Sequence, residues 1–391
     1  MMGKVGAAVL SALCALSCSR AADPKPGAAS ASTTPALAAS SVAPALSAVP
    51  AAPPPPALVG WRGALAFETA TLADLPASHK EPSLVFVDDR TVLVHSGDLA
   101  SLCDLGSWRC DRPLRPGLSG WTASADGKWL AASDDESTLL FETAGLKEKI
   151  RVARRKDAIG DELALSATGD QLLVLASEGI DKLSAQAWGT AAVAGAPLRH
   201  LELKQSLPAS VGVFTPANTF ALWMLGGNGM DLVIEGRPKV PTSYLPPERV
   251  AFASDGTAAV HAGLTMEIAA VVRVLDLPSG KERVQFELGP FPPDPSTETR
   301  PSVHSIAASR GAARVAMTVT RDRTKVIVLV HDGQTGRVLA RLDTPYSDVL
   351  GGGDLALSPD GKTLLWVHER EPASSVPKGA SPFEILRASL P

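Results

Sequence analysis

Four ionisable residues of three chemical kinds stand at one spacing. Glu162, Arg249, His304 and Asp354 each precede a glycine by seven residues, namely Gly169, Gly256, Gly311 and Gly361. Two carboxylates, a guanidinium and an imidazole make a set able to recognise a polar ligand or a partner's loop. The same set is also compatible with hydrolysis, His304 acting as general base and Asp354 or Glu162 orienting it or holding a metal. The chain has no His-Glu-x-x-His, no Gly-x-Ser-x-Gly and no Cys-x-x-Cys, so no stronger reaction signature competes. Gly361-Lys362-Thr363 ends like a phosphate loop, but Ala356 stands where its first glycine belongs and no helix follows, so it reads as a hairpin turn. Asp134-Asp135-Glu136 reads as a solvated turn rather than a calcium site. No resident metal or cofactor is expected.

The glycine spacing belongs to a repeat. Leu355-Ala-Leu-Ser-Pro-Asp-Gly-Lys-Thr-Leu-Leu-Trp-Val367 is echoed at Trp121 to Ala131, Leu163 to Leu173 and Val250 to Val260, and more loosely at Leu84 to Val94, Val211 to Leu222 and Ile306 to Val315. Aligned on the turn, the glycine position falls at Arg90, Gly127, Gly169, Asn218, Gly256, Gly311 and Gly361. A tight hairpin demands positive φ there, which Gly tolerates freely and Asn better than most, leaving Arg90 as the exception. Further on in the units, Val271 to Phe286 and Val326 to Ala340 each give a β-branched strand, a glycine turn and another strand. Each unit is therefore a four-stranded meander. His95, His261, Trp223 and Trp366 share the place five residues after the turn position, which predicts a half-buried slot between units.

The Ser-Pro-Asp-Gly-Lys and Asp-x-x-Thr-Gly-Arg turns resemble those of the WD-repeat-like propellers of exported bacterial proteins, across residues 59–391. The fold expected is an all-β propeller of seven four-stranded blades, with six or eight as alternatives. Only 30 residues follow Gly361, room for two more strands. Trp61 to Ala70 is expected to supply the missing outer strand of the last blade and so hide its edge. The inner-strand bodies carry no ionisable residue, and repetition projects the four residues of the opening paragraph onto the mouth of the central channel.

Lys4 precedes Val5 to Leu16, an uncharged run of secretory length and too short to span a bilayer, which needs about 20 residues. Ala15-Leu16-Ser17-Cys18 resembles a bacterial lipobox, with Ala15 where that family prefers Leu. The resemblance implies a signal peptide over 1–17, a lipid on Cys18 and an address in the bacterial cell envelope. Ser19 is not the Asp of inner-membrane retention, which favours the outer membrane, with the domain in the periplasm or at the cell surface. Simple secretion is the alternative. After Cys18 the segment to residue 58 is rich in Ala, Pro and Ser and has no aromatic residue, so it cannot bury a core and reads as a disordered tether. The exported domain keeps two cysteines, Cys103 and Cys110, which an oxidising compartment is expected to pair across a Gly106-Ser107 turn.

Composition narrows the partners. The chain is 45% hydrophobic and 20% charged, which excludes whole-chain disorder, and its 37 Lys and Arg against 41 Asp and Glu leave no grip for nucleic acid. The reading is a membrane-tethered, non-catalytic propeller that binds another protein or an envelope polymer, with a lactonase-like hydrolase at the charged mouth as alternative. Anchoring is tested by Cys18→Ser. The variant is expected to leave the membrane fraction, and retention there after signal cleavage would show that Cys18 carries no anchor.

Overall fold

The computed structural model describes residues 68–70, 81–288 and 302–390, apart from 98, 108, 155–158, 178–181, 192–195, 205–209, 227–228, 242–244, 265–269, 322–324, 344–353 and 370–382. The chain divides into two units, Met1–Val59 and Gly60–Pro391. The signal segment, Cys18 and the tether lie outside the described residues, as do residues 61–67.

The second unit is a seven-bladed β-propeller with four strands in every sheet. The first strands of blades 1 to 7 are Ser83–Phe86, Ser119–Ala123, Ile159–Leu165, Ser210–Phe214, Leu245–Phe252, Ser302–Ala308 and Leu355–Leu357. Each touches the first strand of the next blade, and that of blade 7 touches that of blade 1, so these strands form the inner ring. Blades 1 to 6 run outward as antiparallel meanders. Blade 7 takes its outer strand from the other end of the domain, where Glu68–Ala70 pairs with Phe383–Ser389, Glu68 opposite Arg387 and Ala70 opposite Ile385. The expected closing strand is thus present, with its described part confined to three residues. In blade 1 a disulfide joins Cys103 of the third strand to Cys110 of the fourth.

Every sheet is apolar on both faces, and alternate residues serve opposite neighbours. In blade 7, Leu355, Leu357, Leu364 and Trp366 pack toward blade 6, whereas Ala356, Leu365 and Val367 pack toward blade 1. Seven separate apolar clusters result, one at each junction. This corrects the expected half-buried slot at three of its four positions. Trp223, His261 and Trp366 are all 0% exposed, sandwiched between neighbouring blades, whereas His95 of blade 1 is half-buried as expected. Arginines add polar stitches from one blade to a carbonyl of the next: Arg112 to Thr143, Arg283 to Gly311, Arg314 to Gly361 and Arg387 to Leu105.

The turn positions behave as their residues dictate. Gly127, Gly169, Asn218, Gly256, Gly311 and Gly361 all have positive φ. Arg90 does not, because the blade 1 hairpin is held instead by Asp88 Oδ1, which accepts the N–H groups of Arg90 and Thr91, each at 2.7 Å. Gly256 is constrained twice over, by φ +68 and by the carbonyl oxygen of Phe214 in blade 4, which a Cβ would meet at 1.8 Å. Gly256→Ala is expected to cost about 2 to 4 kcal/mol from backbone strain and overlap together. Chemical denaturation checks this, and an unchanged midpoint would refute the close approach.

Candidate functional site

The meander fixes which side chains share a face. Inner strands run in the same direction around the ring, as the parallel bridge between Ala253 and Ala308 illustrates for blades 5 and 6. One face of the disc therefore carries the starts of all inner strands. The opposite face carries the hairpins between first and second and between third and fourth strands. Glu162 is the fourth of seven residues in its inner strand, Arg249 the fifth of eight and His304 the third of seven, and Asp354 directly precedes its own. The shared register sets all four toward the strand-start side of the ring.

Local irregularity marks the same end. Pairing between first and second strands shifts register between Ser119 and Thr122, Ile159 and Asp161, Leu245 and Arg249, and Val303 and Ser305. Four blades therefore carry a bulge where they meet the mouth, and bulges re-aim side chains at rims. His304 is itself the extra residue of its bulge, and its Nε2 meets Thr320 Oγ1 at 2.7 Å. Arg249 Nε donates to the His304 carbonyl oxygen at 2.5 Å, which brings blades 5 and 6 together. Asp354 turns toward blade 1, where its Oδ2 accepts the Leu84 N–H at 2.7 Å. Glu162 remains on blade 3 and has no hydrogen-bond or ion-pair partner among the described residues. The set is a distributed ring rather than one reaction centre. Among the described residues no three His, Cys, Asp or Glu side chains gather as a metal site.

Hairpin turns and inner-strand starts treat their carboxylates in opposite ways. On the turn face, Ser107 donates backbone and side-chain hydrogen bonds that hold Asp104 below the ordinary range. Partial burial pushes Asp126 and Asp332 upward, but hydrogen bonds from Ser124 and Lys128, and from Thr335 and Gln334, outweigh it and leave both low. At the mouth every resolved shift is upward. Glu162 keeps access to water, yet the surrounding wall crowds its carboxyl out of bulk solvent and raises its pKa. Burial pushes Asp354 up to about 6, against the pull of the Leu84 and Leu355 N–H groups, and the Glu81 charge raises it further. Glu81 is raised by desolvation and by Glu369, while the Asp354 N–H pulls it down.

Glu81 and Glu369 were not legible as mouth residues in the repeat. Glu81 stands nine residues before Arg90, outside the aligned position, and Glu369 ends a second strand. Their only sequence signal is proximity to an inner-strand start and to a strand end. The paired cysteines Cys103 and Cys110 are buried in the cluster between blades 7 and 1, away from the mouth ring.

By sequence the chain matches no protein-family profile and no curated protein. By structure it is similar to a chain of the mitotic checkpoint complex, with a TM-score of 0.56 and 13% identity over 83% of this chain and 95% of that one. It is likewise similar to an oligogalacturonate lyase in complex with manganese (TM-score 0.54, 13% identity, 84% and 97% covered). A third is the Cps50 (Swd1) β-propeller domain of Myceliophteria thermophila (TM-score 0.53, 13% identity, 83% and 100% covered). At such identities the likeness concerns the fold alone, and that fold is the WD-repeat-like propeller.

The crowding of Glu162 has a direct readout. Its side-chain carboxyl carbon, followed by NMR, is expected to titrate with a midpoint above 4.5, the ordinary value. A midpoint at or below that value would show that the channel wall leaves the group in bulk water.

Proposed function

We propose that this chain is a membrane-tethered, non-catalytic propeller of the bacterial envelope that binds a partner protein on its mouth face. The observation that carries the reading is the contrast between faces. Carboxylates of the turn hairpins such as Asp104, Asp126 and Asp332 are held by their own turns, whereas Glu162, Asp354 and Glu81 beside the inner-strand starts are desolvated with no cation paired to them among the described residues, the condition under which a charged group gains from a partner. A register shift just ahead of Glu162, and others beside Arg249 and His304, interrupt the hydrogen-bond ladder at the strand starts of blades 3, 5 and 6. The lipobox-like sequence and the Ala/Pro/Ser-rich segment support a tether, whose reach suits a binding module.

Hydrolysis finds less support. A general base needs its proton acceptor within reach of the reacting group and of an orienting carboxylate. His304 Nε2 is engaged with Thr320, and Asp354 is engaged with blade 1. An envelope polymer remains an outcome of the same test.

Photocrosslinking distinguishes the faces. A crosslinker placed at Glu162 is expected to capture a discrete protein in intact cells, and one placed at Asp170 on the turn face is expected to capture none. Equal capture from both positions, or capture from Asp170 alone, would overturn the assignment of the mouth. Capture of glycan from Glu162 would replace the protein partner with a polymer.

A further inference from the structure

The junction between blades 7 and 1 is the one place in the ring where adjacent inner strands are remote in sequence. At its mouth end two reciprocal bonds join them. The Leu84 N–H donates to Asp354 Oδ2 at 2.7 Å, and the Asp354 N–H donates to Glu81 Oε1 at 3.1 Å. Both acceptors are carboxylates, and neither has an ion-pair partner among the described residues. The junction between blades 5 and 6 is built differently. There a guanidinium meets a neutral carbonyl at the mouth end, and a backbone bridge links Ala253 to Ala308 at the other.

We propose that Asp354 and Glu81 form a proton-operated latch on the mouth end of this junction: a proton taken from solvent by the pair holds the two inner strands together, and its loss loosens them. Two ionised carboxylates side by side in a partly dry seam repel each other, and each has lost hydration. One proton removes one of the charges and still leaves a carbonyl oxygen to accept the Leu84 N–H, so the stitch survives while the repulsion goes. The other titratable groups on the packed elements are Glu369 at the end of the second strand of blade 7, the His368 and Glu384 pair at 3.8 Å behind it, and His95 on the second strand of blade 1, opposite Ser83. Burial lowers the pKa of His95 and so disfavours its cationic form. His79, Lys80 and Arg370 flank the cluster in sequence and lie outside the described residues.

The direction follows from linkage. Asp354 titrates at about 6 in the closed ring against 3.8 for an ordinary aspartate. A group raised in the closed state stabilises that state fully below its ordinary pKa and loses the effect as pH climbs through the raised one. The opening constant of the seam should therefore rise about tenfold per pH unit between roughly 4 and 6 and level off above. The latch closes in acid and relaxes toward neutrality.

Hydrogen exchange on the full chain tests this. Between pH 4.5 and 7, protection of the Leu84 amide, corrected for the intrinsic exchange rate, is expected to fall at least tenfold relative to that of Ala253 at the junction between blades 5 and 6. In Asp354→Asn, where the side-chain oxygen still accepts the N–H but no longer ionises, the fall should vanish. Protection of Leu84 that parallels Ala253 throughout, or a fall that persists in Asp354→Asn, would overturn the latch. Should that variant fail to fold, Glu81→Gln serves instead: removing the neighbouring charge should move the transition to lower pH, and an unmoved transition would also overturn it.

Discussion

A sheet that is apolar on both faces cannot be stable alone, and this constraint governs the whole ring. Each blade is held only by being sandwiched, so the structure has no terminus at which an exposed face would be acceptable, and the last junction must close. Consecutive blades are delivered to each other by the chain. Blades 7 and 1 are not, and bringing residues 84 and 354 together costs roughly 5 kcal/mol of loop entropy beyond the constant term. That cost is offset by burial, at roughly 2 kcal/mol for a large apolar side chain such as Leu365 or Val367. Polar stitches assist, since the Asp360 N–H donates to Asp89 and Arg387 reaches the Leu105 carbonyl. The disulfide lies in the same cluster, so its cross-link stiffens the blade against which closure occurs.

Closure also explains why the two faces differ. Hairpins on the turn face are short and self-contained, and a Ser or Thr near the Asp commonly satisfies the carboxylate locally, as in Ser124 with Asp126 and Ser358 with Asp360, while Asp276 takes Arg283 instead. At the start of an inner strand the chain arrives rather than turns, so no hairpin of its own supplies donors to a carboxylate there, unlike Asp134 in the turn between the second and third strands of blade 2. A carboxylate there must find its partner on another blade, or on another molecule. Asp354 does the first, with the Leu84 amide, at the expense of a raised pKa. Glu162 has no such partner among the described residues and faces solvent.

Much of this was legible in the sequence because a propeller repeats its turns. The glycine and asparagine positions fixed the hairpins through φ, and counting residues after Gly361 exposed the need for a strand from the other end. The same ruler set the common register of Glu162, Arg249, His304 and Asp354. What the ruler could not reach was anything set by two blades at once. The complete burial of His261 and Trp223 depends on both neighbours being present, and an apolar run looks the same whether one face is covered or two. Glu81 escaped because the first unit has Arg90 in place of its glycine and because its relation to Asp354 exists only in the closed ring. The bulges escaped because an inserted residue in a strand buried on both sides leaves no break in polarity.

The seam and the N-terminal side of the chain meet in one blade. Residues 68–70 form the outer strand of blade 7, whose inner strand carries Asp354 at its start. Between them lie two strands paired over most of their lengths, from Thr363 opposite Ser389 to Glu369 opposite Phe383. A hydrogen-bonded sheet transmits displacement across its strands far better than along a loop, since its ladder must break before the strands can slide. The blade that takes its outer strand from the N-terminal side of the domain is therefore the same blade whose inner edge is held by the carboxylate stitches. Blades 3 and 5, which carry Glu162 and Arg249, are separated from that blade by further junctions with their own apolar clusters, so movement at the seam would alter one side of the mouth and leave the other as a fixed reference.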